Sequence, residues 1–452
     1  MVLAKMVAVA AFMSIFTLLL MAESVEPSIL NISQAFLLNS DTESRFTLPL
    51  FSVPTSNPPS FLINAAATAA KADAPVSRSA FSYNDITLMT EVTMGNPPQR
   101  QKMVVDTGSE LSWLNCKLGT SFPSFNPSIS SSYISIPCNS AICTEKTTDF
   151  PVPANCDEKK LCHYIYSYAD GTENEGNLGS DLINLPALKI PGFVFGCSVS
   201  DPMAETPGLM GLNQGALSLI SQLKFTHKFS YCITDPQASP AATGVLLFGD
   251  SPFGNSLQYT SLLNISLPLP YFNRAAYTVK LQGIKVGNKL LPIPKSVFLP
   301  DHTGAGQTMI DSGTQFTLLL GDAYTPLKNE FVQQNRARIN PMTSNVVFQG
   351  ALDLCYDLPA GSSQFPQVTP VTLLFDSAQL ILQSQQLLYR VPNATGAAIP
   401  KGREIYCFTF GNSDLVPVEA NIIGNHHQQN LWIEYDLQNS RIGFGQARCD
   451  AN

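Results

Sequence analysis

Two short stretches carry residue types that could do chemistry at matched positions. The first is Val104-Val105-Asp106-Thr107-Gly108-Ser109 and the second is Met309-Ile310-Asp311-Ser312-Gly313-Thr314. In each, two apolar residues lead into an Asp, which is followed by a hydroxyl residue, a Gly and a second hydroxyl residue. An apolar pair running into polar residues and Gly predicts a buried strand ending in a tight turn that presents the carboxylate. A single Asp-Thr-Gly or Asp-Ser-Gly is an ordinary loop tripeptide. Two copies 205 residues apart predict two similar lobes, each delivering one Asp. A carboxylate pair can activate water without a metal, one member acting as base and the other as acid.

A second matched element follows each turn. Gly208-Leu209-Met210-Gly211 lies downstream of Asp106, and Asn421-Ile422-Ile423-Gly424 lies downstream of Asp311. Their final glycines fall 105 and 113 residues after the respective Asp, which makes the chain a degenerate internal repeat. With these motifs the chain resembles the pepsin-like aspartic proteases from about Phe81 to Cys449. In that family each Asp-Thr/Ser-Gly loop lies against an apolar-apolar-Gly segment.

The resemblance implies an all-β bilobal fold with a few short helices and a cleft between pseudo-symmetric lobes. It implies that Asp106 and Asp311 are catalytic and that Gly108 and Gly313 let the backbone approach them. Thr107 and Ser312 resemble the family's cross-lobe hydroxyl lock, while Ser109 and Thr314 sit where hydroxyls bond the outer carboxylate oxygens. Trp113 matches the cleft Trp. Tyr168, before Ala169-Asp170-Gly171-Thr172, matches the flap tyrosine that closes over substrate. The implied substrates are peptides or proteins, with no cofactor and no metal. A competing reading is a binding protein of the same fold, since some plant members are enzyme inhibitors that lost part of the catalytic pair. Both triplets are complete here, which favours the enzyme.

The elements that must position these residues follow in chain order. Residues 1–24 read as a signal peptide: Lys5 opens it, Met6 to Met21 is apolar, and Ala22 and Ser24 are small. A signal anchor is the alternative. Residues 25–79 lack cysteine, carry Pro54, Pro58, Pro59 and Pro75 and an Ala-rich run at 65–70, and read as a prosegment or linker, removed or loosely ordered. The first catalytic lobe is expected over 80–256, a connection over 257–270 and the second lobe over 271–452. Strands are expected at Phe81 to Met94 and before Asp106. A hairpin is expected at Tyr164 to Thr172, with short helices at Leu217 to Leu223 and after Asp311. That last helix would place Tyr324, Leu327 and Phe331 on one face, capped by Asp322.

Composition limits the alternatives. The chain of 452 residues is 44% hydrophobic and 13% charged, enough for two cores. The net charge of −8, without any basic run, disfavours nucleic-acid binding. No stretch after the leader is long and apolar enough to span a membrane. A monomer of the secretory pathway is expected, whether in the endoplasmic reticulum lumen, a vacuole or the extracellular space.

Ten cysteines behind a signal peptide imply five disulfides in an oxidising compartment. Pattern alone leaves their connectivity open. The closer resemblance is to the atypical plant, nepenthesin-like branch, and within it to the promotion-of-cell-survival type. Carried over by position, that branch's scheme implies Cys116–Cys197, Cys138–Cys162, Cys143–Cys156, Cys232–Cys449 and Cys355–Cys407. The sequons Asn264-Ile265-Ser266 and Asn393-Ala394-Thr395 are expected glycosylation sites. Asn31-Ile32-Ser33 is a third, lost with the prosegment. His426-His427 reads as an exposed turn, and Gly304-Ala305-Gly306 as a loop.

Overall fold

The computed structural model describes residues 29–31, 45–54, 62–64 and 86–450, the last apart from 118–123, 170, 187, 200–205, 236, 238–243, 343–345, 349, 362–364, 392–401 and 417. The leader at 1–24, the sequon residue Asn393 and the flap residue Asp170 lie outside the described residues. The structure is built mainly of strands, arranged as two lobes on a shared sheet.

The strand Gln99–Asp106 alternates buried and exposed residues and runs antiparallel to Ile86–Met94. Gly208–Gly211 lies parallel to it, with Gly211 opposite Asp106, and antiparallel to Trp113–Asn115 on its other side. The second lobe repeats this device. Ala420–Ile423 lies parallel to Gln307–Ile310 and antiparallel to Thr317–Leu319. The apolar-apolar-Gly segments are thus central strands wedged between the two arms of an Asp loop, which explains their uninterrupted apolar character.

The shared sheet carries Arg441–Arg448, Leu431–Asp436, Lys228–Cys232 and Gly244–Phe248 as successive neighbours. Gln258–Ser261, in the expected 257–270 connection, also joins it beside Arg441–Phe444. Within the stretch expected to be a prosegment or linker, Phe46–Pro54 is a strand between Gly244–Phe248 and Ile86–Met94. Phe46, Leu48 and Leu50 are buried in the main core. Their alternation with Thr47 and Pro49 is a strand signal that the surrounding Pro-rich and Ala-rich composition obscured.

The helix after Asp311 spans Gly321–Asn335 and buries Tyr324, Leu327 and Phe331, as its periodicity predicts. Asp322 does not cap it. Leu320 is the N-cap, and the Gly321 amide is met by Asp414 Oδ1 at 3.1 Å. The other short helix covers only Leu219–Gln222 and is capped by Ser218.

Five disulfides are formed, and three match the carried-over scheme: Cys116–Cys197, Cys232–Cys449 and Cys355–Cys407. The clustered four are paired differently, as Cys138–Cys156 and Cys143–Cys162 rather than Cys138–Cys162 and Cys143–Cys156. The reason is burial. Cys156 sits opposite Cys162 in a small hairpin, and each is bonded to a cysteine outside it. Cys143 points inward from the helix Ala141–Glu145 into the core cluster that contains Cys162. The half-buried Cys138 and the exposed Cys156 are left to pair at the rim.

Candidate active site

The two loops face one another at the junction of the lobes. The Thr107 amide donates to Ser312 Oγ at 3.0 Å, and the Ser312 amide donates to Thr107 Oγ1 at 2.9 Å. Ser312 Oγ in turn donates to the Val105 carbonyl at 2.9 Å. These reciprocal bonds fix one loop against the other.

Each carboxylate is held in the same way within its own loop. The Gly108 amide donates to Asp106 Oδ1 and the Gly313 amide to Asp311 Oδ1, both at 2.8 Å. The outer oxygens accept from hydroxyls, Ser109 Oγ on Asp106 Oδ2 and Thr314 Oγ1 on Asp311 Oδ2. Glycine is required because the carboxylates lie so close to the opposite loop. A Cβ on Gly108 would fall 2.7 Å from Asp311 Oδ1, and one on Gly313 would collide with Asp106 Oδ1.

Two carboxyls this close, Asp106 buried and Asp311 half-buried, cannot both be ionised cheaply. Burial first, and the neighbouring Asp311 charge second, push the Asp106 carboxyl to about 8, against the lowering pull of Ser109 and the Gly108 amide. The pair therefore retains a proton at a pH where ordinary carboxyls have lost theirs. The proton belongs to the pair rather than to one residue.

Trp113 and Tyr168, expected at the cleft and flap, are in contact. Trp113 is buried, and its Nε1 donates to Tyr168 Oη at 2.7 Å, joining the strand Trp113–Asn115 to the hairpin that follows Cys162–Ser167. That hairpin closes through Tyr168 N to Thr172 O at 2.8 Å, and Gly171 supplies the left-handed turn residue with φ +79°.

Other supporting residues escaped the sequence reading. Asn213 Nδ2 donates to Gly108 O and Asn425 Nδ2 to Ser312 O, so each wedge strand is followed by an Asn that holds an Asp loop. Gln428 Nε2 donates to the Asp311 carbonyl at 3.0 Å. Both asparagines lie within two residues of a wedge glycine, a spacing that could have flagged them. Glu110 lies buried directly behind Ser109, an acidic residue inside a segment that otherwise leads into a core strand.

The expectation for His426-His427 is overturned. Both imidazoles are buried in the 3-10 turn Asn425–Gln428, among Phe316, Tyr389 and Phe410. His427 bridges Thr317 Oγ1 at 2.5 Å and Thr409 Oγ1 at 2.8 Å. The aromatic cluster that encloses them comes from distant positions, so local polarity misled.

The fold and the paired loops define a class, the bilobal pepsin-like acid protease fold. The chain belongs to the pepsin-like plant aspartic protease family. Family models described as xylanase inhibitor N-terminal and C-terminal match residues 88–250 and 276–446. The chain is 48% identical over 394 residues to aspartic proteinase PCS1 of Arabidopsis thaliana, covering 84% of this chain and 85% of that protein. It is 32% identical to aspartic proteinase nepenthesin-1 of Nepenthes gracilis, covering 80% and 78% respectively. Among solved structures it shares its fold with basic 7S globulin from soybean, at TM-score 0.61 and 19% identity, covering 90% of this chain and 98% of that one.

Proposed function

We propose that this chain is an aspartic endopeptidase that hydrolyses peptide bonds with water activated between Asp106 and Asp311. The observation that carries the reading is the complete and reciprocal support of both carboxyls, by two amides, two hydroxyls and the cross-lobe Thr107–Ser312 bonds. The ionised member takes a proton from water as its oxygen attacks the peptide carbonyl carbon. The protonated member gives its proton to the carbonyl oxygen. Transfer of a proton to the amide nitrogen then lets the C–N bond break, and the dyad is restored with one proton. Trp113 and Tyr168 form the wall and flap that hold the peptide over the pair.

Activity is highest in the acid range, below about pH 6, and falls as pH rises and strips the shared proton. The substrates are peptides or proteins, and the enzyme works as a monomer in the secretory pathway. Residues 1–24 serve as leader and 25–79 as prosegment. A cut near 79 would take the Phe46–Pro54 strand from between its two neighbours. The exposed Asn264 is a glycosylation site, and Asn393 is a second.

A second reading is a catalytically inactive binding or inhibitor protein, favoured by the xylanase inhibitor description of both matching family models. The two separate on one assay. The purified protein should cleave an unstructured protein substrate at pH 4, and a pepstatin-type inhibitor should stop it. Tight binding to a partner enzyme with no cleavage at any pH would establish the second reading instead.

A further inference from the structure

Glu110 is buried to within 1% of its surface, immediately after Ser109, and the chemistry above does not use it. Its amide donates to Tyr166 Oη at 3.1 Å, on the strand Cys162–Ser167 that leads into the flap. Its Oε1 accepts from the Leu217 amide at 2.8 Å, while Oε2 is buried without a partner. The backbone closes on it from two sides. A Cβ on Gly211 would collide with the Glu110 carbonyl, and one on Gly215 would collide with its carboxyl group. The catalytic loop, the wedge strand, the flap strand and the 215–217 turn therefore all meet at this residue.

We propose that Glu110 is a positioning residue for the reaction: it ties the loop carrying Asp106 and Ser109 to the flap strand through Tyr166, and to the 215–217 turn through its own carboxyl group. The proposal rests on the endopeptidase reading of the same site. Phe150 of the cysteine cluster packs edge-on against Tyr166, with ring centroids 5.2 Å apart, and Tyr166 lies 5.3 Å from the flap Tyr168. A shift of the Glu110 loop would thus be felt at both the dyad and the flap.

The titratable groups around Glu110 favour its neutral form. Tyr166 faces it from the flap strand, Asp149 from the cysteine cluster, and Asp106 shares its loop; the 215–217 turn offers main chain only. Asp149 is itself bound to Arg274 of the second lobe. Burial, reinforced by Asp149 and opposed by the Leu217 amide, pushes the Glu110 carboxyl up to about 7. In the acid range it is a neutral acid with a satisfied carbonyl oxygen. Ionised, it is an unpaired buried charge behind Asp106, which is costly.

The test uses the full chain as parent and as Glu110→Gln, Glu110→Ala and Tyr166→Phe variants. The readouts are kcat and KM from pH 4 to 8, with thermal midpoints in the same buffers. Glu110→Ala should lower kcat by about tenfold or more, with KM within about threefold, at temperatures where it is fully folded. Glu110→Gln should recover most of that loss, because an amide oxygen still accepts from Leu217. Tyr166→Phe should reproduce part of it. Native Glu110 keeps a proton between its ordinary value and about 7 that the unfolded chain has released, so stability falls as pH rises through that window. The parent's midpoint should therefore drop from pH 5 to 7.5 more steeply than that of Glu110→Gln. A kcat loss in Glu110→Ala that merely tracks the unfolded fraction, or identical pH slopes for parent and Glu110→Gln, would overturn the proposal. A parent without any cleavage would instead defeat the endopeptidase reading, and the slopes would still decide the proton on Glu110.

Discussion

The two Asp loops are nearly the same in front and different behind. In front, each carboxyl has one glycine amide and one hydroxyl from its own loop, and the reciprocal Thr107–Ser312 bonds join the two loops. Behind the first loop sits an acid, Glu110, pushed up to about 7. Behind the second sit two imidazoles, with His426 pushed down to about 4 and His427 held well below the ordinary range, both chiefly by burial. The reacting geometry tolerates little variation, so the repeat preserves it. The packing behind it can hold each loop with different residues, so the two lobes differ there.

The difference has opposite consequences for stability against pH. Glu110 and Asp106 have raised native values, so the first lobe binds extra protons and loses stability as pH rises toward and through them. The histidines have lowered native values, so the unfolded chain binds more protons than the native one below about pH 6.5. Stability of the second lobe falls as the medium is acidified from there toward 4. Behind the loops, the buried acid works against stability toward neutral pH and the buried imidazoles against it in acid.

The largest expected effect tests whether the front symmetry extends to chemistry. Asp106→Asn and Asp311→Asn should each lower kcat by about 10³-fold or more at constant fold, since neither remaining carboxyl can be both base and acid. Circular dichroism and single-turnover assays check this, and a variant with ordinary activity would break the pairing.

Next is the joint between the lobes. Cys232–Cys449 closes 217 sequence steps and joins the end of Lys228–Cys232 to the end of Arg441–Arg448, past the intervening strand Leu431–Asp436. Replacing both cysteines by alanine should cost about 5 kcal/mol in the chain-entropy account. Cleavage should be impaired at denaturant concentrations where neither lobe has unfolded, as followed by activity and tryptophan fluorescence in parallel.

The histidines sharpen the contrast between the backs of the loops. His427→Gln should flatten the loss of thermal midpoint between pH 6 and 4, while lowering stability at pH 7 by about 1–3 kcal/mol through lost packing and hydrogen bonds. Equal slopes in parent and variant would remove the histidines as the acid limit. The smallest effect is expected at the flap. Tyr168→Phe removes only the oxygen that Trp113 contacts and should reduce kcat/KM by about tenfold or less.

What the sequence revealed follows the same division. The triplets, the wedge strands, Trp113 and Tyr168 lie in local patterns, and the structure joins the two triplets, wedges the strands beside them and bonds Trp113 to Tyr168. The backs of the loops are made by residues distant in the chain. His426 is enclosed by Phe316 and Tyr389, and Glu110 by Tyr166 and the 215–217 turn; no local signal reports such partners. The cysteine cluster failed for a related reason. Cys156 and Cys162 face each other across a hairpin, and only the placement of the Ala141–Glu145 helix decides which of them Cys143 reaches. Phe46–Pro54 was hidden by its flanks, although its own alternation was regular.

The central claim is that Asp106 and Asp311 act as one pair holding one proton. Its most direct test is kcat/KM for a single peptide substrate, measured on the parent chain from pH 2.5 to 8 within the range where the fold is intact. The account predicts a maximum below about pH 6, with a fall on the acid side as the pair gains a second proton and on the alkaline side as it loses its last. A rate that is flat across that range, or that continues to rise through pH 8, would contradict it.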